Sequence, residues 1–277
     1  MSISVNTNAS AMSATRSLKS SDRELQSIES RINTGKTING AKDDGAIYAM
    51  AQTLRGDISG LSVVRDSLDI AVAVGDVALS ATESLTDLIM EMKDKALAAA
   101  DPGLDDRSRA ILNEDFVKLR DQIDTIVNNA GFNEFNLIDG SSTGLRPLTD
   151  AKGGKEIAVP AYDLKPGGAD TDMIPSMVID PLQDAKDSLT RIQTTLEKHN
   201  EIMNVLGGRL RTMDTMRTLV VKTADVLEKN LGTLVDADLG REAARLEAAQ
   251  TKRELRVQSL NIANQLPTFA TKLFGQS

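Results

Sequence analysis

Two pairs of carboxylates are the first residues in this chain whose types and spacing could do chemistry: Asp43 with Asp44, and Asp236 with Asp238. Paired aspartates act as general acid and base or hold a divalent cation, but either role needs further ligands converging from elsewhere. Such ligands are scarce. The chain has one histidine, His199, and no cysteine, which excludes disulfides, thiol catalysis and Cys-based zinc sites. Each pair stands just before an apolar run of helical period, where an aspartate accepts hydrogen bonds from the free N–H groups of the first turn. Helix capping is therefore the reading adopted for both. Histidine is the residue of pH switches, yet His199 sits on an apolar ladder, which marks it as a packed seam residue. With 5 Phe, 2 Tyr and no Trp, little is available to line a small-molecule pocket, and the 10 Met are scattered over helical stripes as adaptable filler. The sequence assigns no catalytic residue, no cofactor and no metal ligand, and its class is not that of an enzyme.

The formal net charge of −8, with no basic run, argues against nucleic acid as a partner. The first twenty residues carry neither a basic region nor a continuous apolar core, so no cleaved secretory signal is expected. The longest apolar stretch, from Ile70 to Gly75, is broken by Asp76 and is too short to insert into a membrane. The expectation is a soluble protein, or one exported by a route that needs no such signal.

The elements that would position these residues are long helices. Three apolar ladders advance by alternating steps of three and four residues, the spacing of a lengthwise helical seam. The first runs from Ala11 through Leu18, Ser21, Leu25 and Ile28 to Ile32. The second runs from Ile47 through Met50, Val64, Leu68, Ala71, Gly75 and Thr82 to Met92, and the third from Leu182 through Ile192, His199 and Leu206 to Met213. The first helix is expected from about Asn8 to Thr34, with Gly35 as a left-handed stop, and the second is expected to end near Ala100 at Asp101, Pro102 and Gly103. A third begins near Asp105, carries Leu112, Phe116, Leu119, Ile123 and Ile126 on one face, and stops at Gly131. From Phe132 to Asp180 the period is lost and four of the 7 prolines occur, which predicts exposed loop with short strands such as Glu156 to Val159. Such a loop should tolerate exchange of residues 150–172 for a Gly-Ser linker without loss of assembly. Helix returns at Asp180-Pro181-Leu182-Gln183, read as N-cap, first-turn proline and capping-box Gln. The last helical pattern covers Leu239 to Leu273, with a break or kink expected at Pro267.

The ends hold more specific motifs. Val5-Asn6-Thr7-Asn8, Ile32-Asn33-Thr34-Gly35 and Ala41-Lys42-Asp43-Asp44 resemble the bacterial flagellin N-terminal patterns Ile-Asn-Thr-Asn, Leu-Ser-Ser-Gly and Ala-x-Asp-Asp. Gly131-Phe132-Asn133 and Leu137-Ile138-Asp139-Gly140 are similar to the Phe-Asn-Gly and Leu-Leu-x-Gly that close that region. Val235-Asp236-Ala237-Asp238-Leu239 resembles Ile-x-Asp-Ala-Asp, and Leu260-Asn261-Ile262-Ala263-Asn264-Gln265-Leu266-Pro267 resembles Leu-Ala-Gln-Ala-Asn-Gln-x-Pro. The blocks occur in family order over residues 1–140 and about 182–275. Departures include Gly45-Ala46-Ile47-Tyr48 for Ala-Ala-Gly-Leu, and Met90-Glu91-Met92-Lys93-Asp94 for Gln-Arg-x-Arg-Glu, a face that by resemblance a Toll-like receptor reads.

The resemblance implies a mainly α fold: an elongated helical bundle with paired N- and C-terminal coiled helices and a small irregular or β insertion. It divides the chain into a polymerisation helix (1–40), a first bundle half (41–140), a short exposed insertion (141–180), a second bundle half (181–235) and a C-terminal polymerisation helix (236–277). It implies a subunit polymerised helically into the extracellular flagellar filament. The partners are other flagellin subunits, the flagellar export apparatus and an export chaperone, and the hook-filament junction and filament cap proteins. Only about 40 residues remain for an outer domain, as in short flagellins of alphaproteobacteria. Asn6, Asn8, Leu18, Leu25, Asp43, Asp44, Asn264, Gln265, Leu266, Phe269 and Leu273 are the expected subunit-interface residues. Two other readings of the same pattern are a hook-filament junction protein and a cytoplasmic signalling coiled coil.

Overall fold

The computed structural model of the chain describes residues 7–274, with side chains through 265. Five helices carry the fold: α1 (Ala9–Thr34), α2 (Gly45–Ala99), α3 (Asp106–Asn129), α4 (Leu182–Val235) and α5 (Leu239–Phe274). Two short strands, β1 (Gly131–Phe132) and β2 (Phe135–Asn136), lie between α3 and α4, so the fold is mainly α as expected. The chain forms two units, Met1–Gly56 with Leu227–Ser277 and Asp57–Val226. Both boundaries fall inside α2 and α4, not at the turns near 40 and 235, because a hydrogen-bonded helix has no reason to end where its packing partners change.

Capping explains most helix ends. Asn8 Oδ1 accepts from Ala11 N at 3.0 Å, and Gly35 closes α1 in the left-handed conformation at φ 67°. Asp44 Oδ1 accepts from Ala46 N and Ile47 N, Asp105 Oδ1 from Ser108 N, and Asp238 Oδ1 from Arg241 N. Three expectations are corrected. Asp236 caps nothing, and forms an antiparallel bridge with Lys36 instead. α4 starts at Leu182, its first bond running from Ala185 N to Pro181 O, and Gln183 Nε2 donates forward to Asp187 Oδ1, so Asp180 and Gln183 make no capping box. α3 is closed by Ala130, whose N–H reaches Val127 O, because Gly131 is taken up in β1 opposite Asn136.

The second unit holds a contiguous aliphatic core. The α2 ladder is buried from Val64 to Met92, and the third ladder is buried at Ala185, Ile192, His199, Leu206, Leu210 and Met213. Gly75 is glycine for a packing reason, since a Cβ there would lie 2.5 Å from Leu210 Cδ2. On α3, Phe116, Ile123 and Val127 are buried as the face predicted. Arg109 is buried as well, which the sequence did not signal. Its guanidinium donates to the carbonyls of Ala99, Asp101 and Leu104 and to Asp106 Oδ1, satisfying the open C-terminal end of α2 and the turn that follows.

The segment 141–180 is not the exposed loop the sequence suggested. Isolated bridges join Asp139 to Asp163, Leu145 to Val159 and Leu148 to Glu156, and Val159, Leu164, Met173, Met177 and Ile179 are buried in the core of the second unit. Helical period was the wrong signal here: a chain without regular structure can still bury apolar side chains when its backbone groups find partners. Leu164 N donates to Ile138 O, Tyr162 N to Leu137 O and Ile179 N to Asn113 Oδ1.

The turn between β1 and β2 places Asn133 at φ 50° and Glu134 at φ 68°. A glutamate there meets the Cβ clash that makes glycine the ordinary choice in such a turn. Glu134→Gly is expected to raise stability by about 1 kcal/mol, read as a higher denaturant midpoint at unchanged slope. An unchanged or lower midpoint would contradict the turn geometry.

His199 is 1% exposed, and neither ring nitrogen has a hydrogen-bond partner among the described residues. Burial disfavours the imidazolium and lowers its pKa from 6.5 to about 4. The seam reading holds, and it carries a pH dependence. Because the folded value is depressed, the unfolded chain takes up the proton first as pH falls below 6.5, and stability is lost between there and about 4. Over that window the loss is about 3 kcal/mol. His199→Met should flatten the fall in Tm between pH 7 and 4 relative to the parent chain; parallel pH profiles for the two would refute this.

Candidate assembly surface

The first unit is built differently. α1 and α5 pair antiparallel, and the first ladder forms the α1 side of the seam, with Ser21 and Ile28 buried and Leu18, Leu25 and Ile32 half-buried. From α5 the buried residues are Glu242, Ala249 and Ala263. Polar contacts align the two helices along their length: Asn8 Nδ2 donates to Ala263 O at 2.8 Å, Arg256 Nη1 to Ser17 O and to Ser21 Oγ at 2.6 Å each, and Arg253 Nε to Asp22 Oδ1 at 2.7 Å. At the far end Arg31 faces the buried Glu242, 3.8 Å away, and Arg245 donates to Glu242 Oε1.

The turns after α1 and α4 are held together by backbone bonds. Thr37 N and Ile38 N donate to Val235 O, Ala237 N donates to Gly35 O, and Thr37 Oγ1 donates to Asp236 O. Asp43 Oδ2 accepts from Asn39 N and Gly40 N and closes the polar turn before α2. The paired aspartates are thus used in local structure. Among the described residues no group of three His, Asp or Glu side chains could hold a metal ion, and no helix is long and apolar enough to cross a membrane.

Against this thin seam, several large apolar side chains of the first unit face outward. Leu255 and Ile262 are 59% and 64% exposed and lie seven residues apart, hence on one face of α5, while Met12 is exposed on α1. Met50, expected on the α2 ladder, is 57% exposed and Ala51 is buried in its place, because a short side chain lets the helix approach its neighbours more closely. These exposed residues were missed because a seam pattern identifies the face that packs within the chain and says nothing of a second face.

The expected interface residues divide accordingly. Leu18 and Leu25 lie on the α1 face used by its own seam, and Asn8, Asp43 and Asp44 are engaged in caps and turns of their own chain. Asn264 and Gln265 are exposed on α5. Asn6 lies outside the described residues, and Leu266, Phe269 and Leu273 fall on α5 where only the backbone is described. α5 continues as helix through Pro267, so the expected break there does not occur.

The bacterial flagellin N-terminal helical region matches residues 5–143. Flagellin FljM and flagellin FljK of Caulobacter vibrioides are each 40% identical, with 98% of this chain and 98% of each relative covered. A flagellin of Brucella melitensis is 28% identical over 94% of this chain and 95% of its own length. Among solved structures, Bacillus cereus flagellin aligns at TM-score 0.50 and 22% identity, over 56% of this chain and 88% of its own. A protein from Vibrio parahaemolyticus described as flagellar hook-associated aligns at TM-score 0.52 and 17% identity, over 70% of this chain and all of its own, and at these identities both show the fold alone. The short middle segment is shared with the Caulobacter relatives, whose alignments span nearly the whole of each chain. A seam of terminal helices, motifs in family order and full-length identity to named flagellins together place the chain in the bacterial flagellin family, as a structural subunit of the flagellar filament.

Proposed function

We propose that the first unit is the polymerising element, and that its outward apolar side chains become buried only between subunits in the filament. The observation that carries this reading is the contrast between the two units. The second has a contiguous aliphatic core, whereas the first buries mainly small and polar residues and leaves Met12, Leu255 and Ile262 in water. Isolated helix pairs with so little buried area are marginal, and neighbouring copies supply what is missing. Heterologous contacts of this kind do not close a ring and generate an open helical polymer. Asn6, Asn264, Gln265, Leu266, Phe269 and Leu273 lie on the terminal segments that would make those contacts.

In this reading the protein has no catalytic role. It leaves the cell through the flagellar export apparatus with an export chaperone, without a cleaved signal, and meets the hook-filament junction proteins below and the filament cap above. The test is direct: the chain should be recovered from filaments sheared off the cell surface, and its retention in the cytoplasm of flagellated cells would contradict the assignment. Receptor recognition should be weak. Glu91 is exposed on α2 and sets a negative charge where the receptor-reading face of many flagellins carries an Arg. Loss of a bidentate Arg contact and like-charge mismatch each weaken such binding by about 1 to several kcal/mol. Purified monomer should be a poor agonist of that Toll-like receptor, and potency equal to an enteric flagellin would count against it.

A further inference from the structure

We propose that Arg256, acting with Ser21, is the residue that sets the register of the α1–α5 coil and so determines which pairing of terminal helices enters the polymer. This deepens the assembly reading above and rests on it. Ser21 is the polar member of an otherwise apolar ladder, yet it is only 1% exposed, and its hydroxyl accepts from Arg256 Nη1 at 2.6 Å while the same nitrogen donates to Ser17 O. A single polar residue at a seam position characteristically specifies register in a coiled coil at some loss of stability.

The rest of the seam does not discriminate. Ala11, Leu18, Leu25 and Ile32 repeat every seven residues, and so do Ala14 and Ile28 about Ser21, while Ala249 and Ala263 repeat about Arg256 on α5. A slip of one heptad therefore keeps the apolar surfaces matched. The exposed ion pairs tolerate it too: Arg253, which meets Asp22 at 2.7 Å, would meet Glu29 instead. Arg256 is different. In the same slip its guanidinium would face Ile28, which offers no acceptor, and Ser21 would lose its donor. The other anchor, the backbone bridge between Gly35–Ile38 and Val235–Ala237, lies roughly 30 Å away along α5, too far to hold this part of the coil on its own.

The absence of cysteine in the chain makes engineered thiols clean reporters. In the full-length protein, Glu24→Cys with Lys252→Cys reports the native register, since these side chains lie 3.7 Å apart, and Glu24→Cys with Ser259→Cys reports the one-heptad slip. With Arg256 present the native disulfide should dominate under mild oxidation, in monomer and in filament. Adding Arg256→Leu should raise the slipped product relative to the native one by about tenfold, the change expected when a paired guanidinium is removed from a seam. Ser21→Leu in the Arg256 background should shift the ratio the same way, with the thermal transition of the second unit as the folding control. An unchanged ratio in both variants overturns the proposal, as does loss of both cross-links in Arg256→Leu when Ser21→Leu behaves as the parent. Failure of the parent chain to form filaments at all would strike the assembly reading, whatever the cross-links show.

Discussion

Exchanging residues 150–172 for a short Gly-Ser linker is expected to abolish the cooperative thermal transition of the second unit. The exchanged stretch includes Val159 and Leu164, both buried, and Ile157, Ala161 and Tyr162, which pack against the same core. Full burial of such a side chain is worth roughly 1.5 to 3 kcal/mol, so the apolar loss alone is several kcal/mol, a large part of the 5–15 kcal/mol that holds an ordinary domain together. The backbone adds to it. The carbonyls of the buried Leu137 and Ile138 accept from Tyr162 N and Leu164 N, and a flexible linker leaves both without their donors. Exchanging only residues 152–155, an exposed turn between the bridges, should move Tm by no more than about 2–4 °C. Circular dichroism melts of the two variants make the comparison. If the larger exchange melts like the parent, the middle segment is the dispensable loop that its Gly and Pro content first suggested.

The other large effect is on assembly. Substituting Leu266 and Phe269 together by Asp should abolish polymerisation while the second unit keeps its melting temperature. Leu266, Phe269 and Leu273 recur at three- and four-residue steps on α5, so they share one face, and two charges placed there would have to be desolvated in any subunit contact. The energetic penalty exceeds what the thin first unit can offset, whereas nothing in the core between Val64 and Val220 involves these positions. Hydrogen exchange on the unpolymerised parent should show α1 and α5 exchanging faster than α3 and the buried stretch of α2. Filaments from the double Asp variant, or terminal helices as protected as the second unit, would each contradict coupling between terminal folding and assembly.

The core ladders were legible because helical period is a local property of the chain. Val64, Leu68, Ala71, Ala78 and Leu85 are buried at the spacing the sequence announces, and Asn8, Asp44, Asp105 and Asp238 cap helices because an aspartate or asparagine can serve the first turn of its own helix without help from elsewhere. Gly35 ends α1 for an equally local reason, its freedom to take positive φ.

What the sequence by itself determined, then, is the mainly helical class, the seam faces, most of the caps and, through its motifs, the family. Only the tertiary structure decided that Val159, Leu164 and Met173 belong to the core. Their burial depends on partners dozens of residues away and leaves no period behind. The same is true of Arg109, whose three carbonyl acceptors come together only after α2 has ended and the chain has turned back into α3. It is true again of Leu255 and Ile262, since a large apolar residue on a helix looks alike in sequence whether it faces its own chain or the next one. The pairing of Ser21 with Arg256 makes the point most directly: a serine interrupts an apolar ladder at no evident gain until a helix 235 residues further along the chain brings a guanidinium to its hydroxyl.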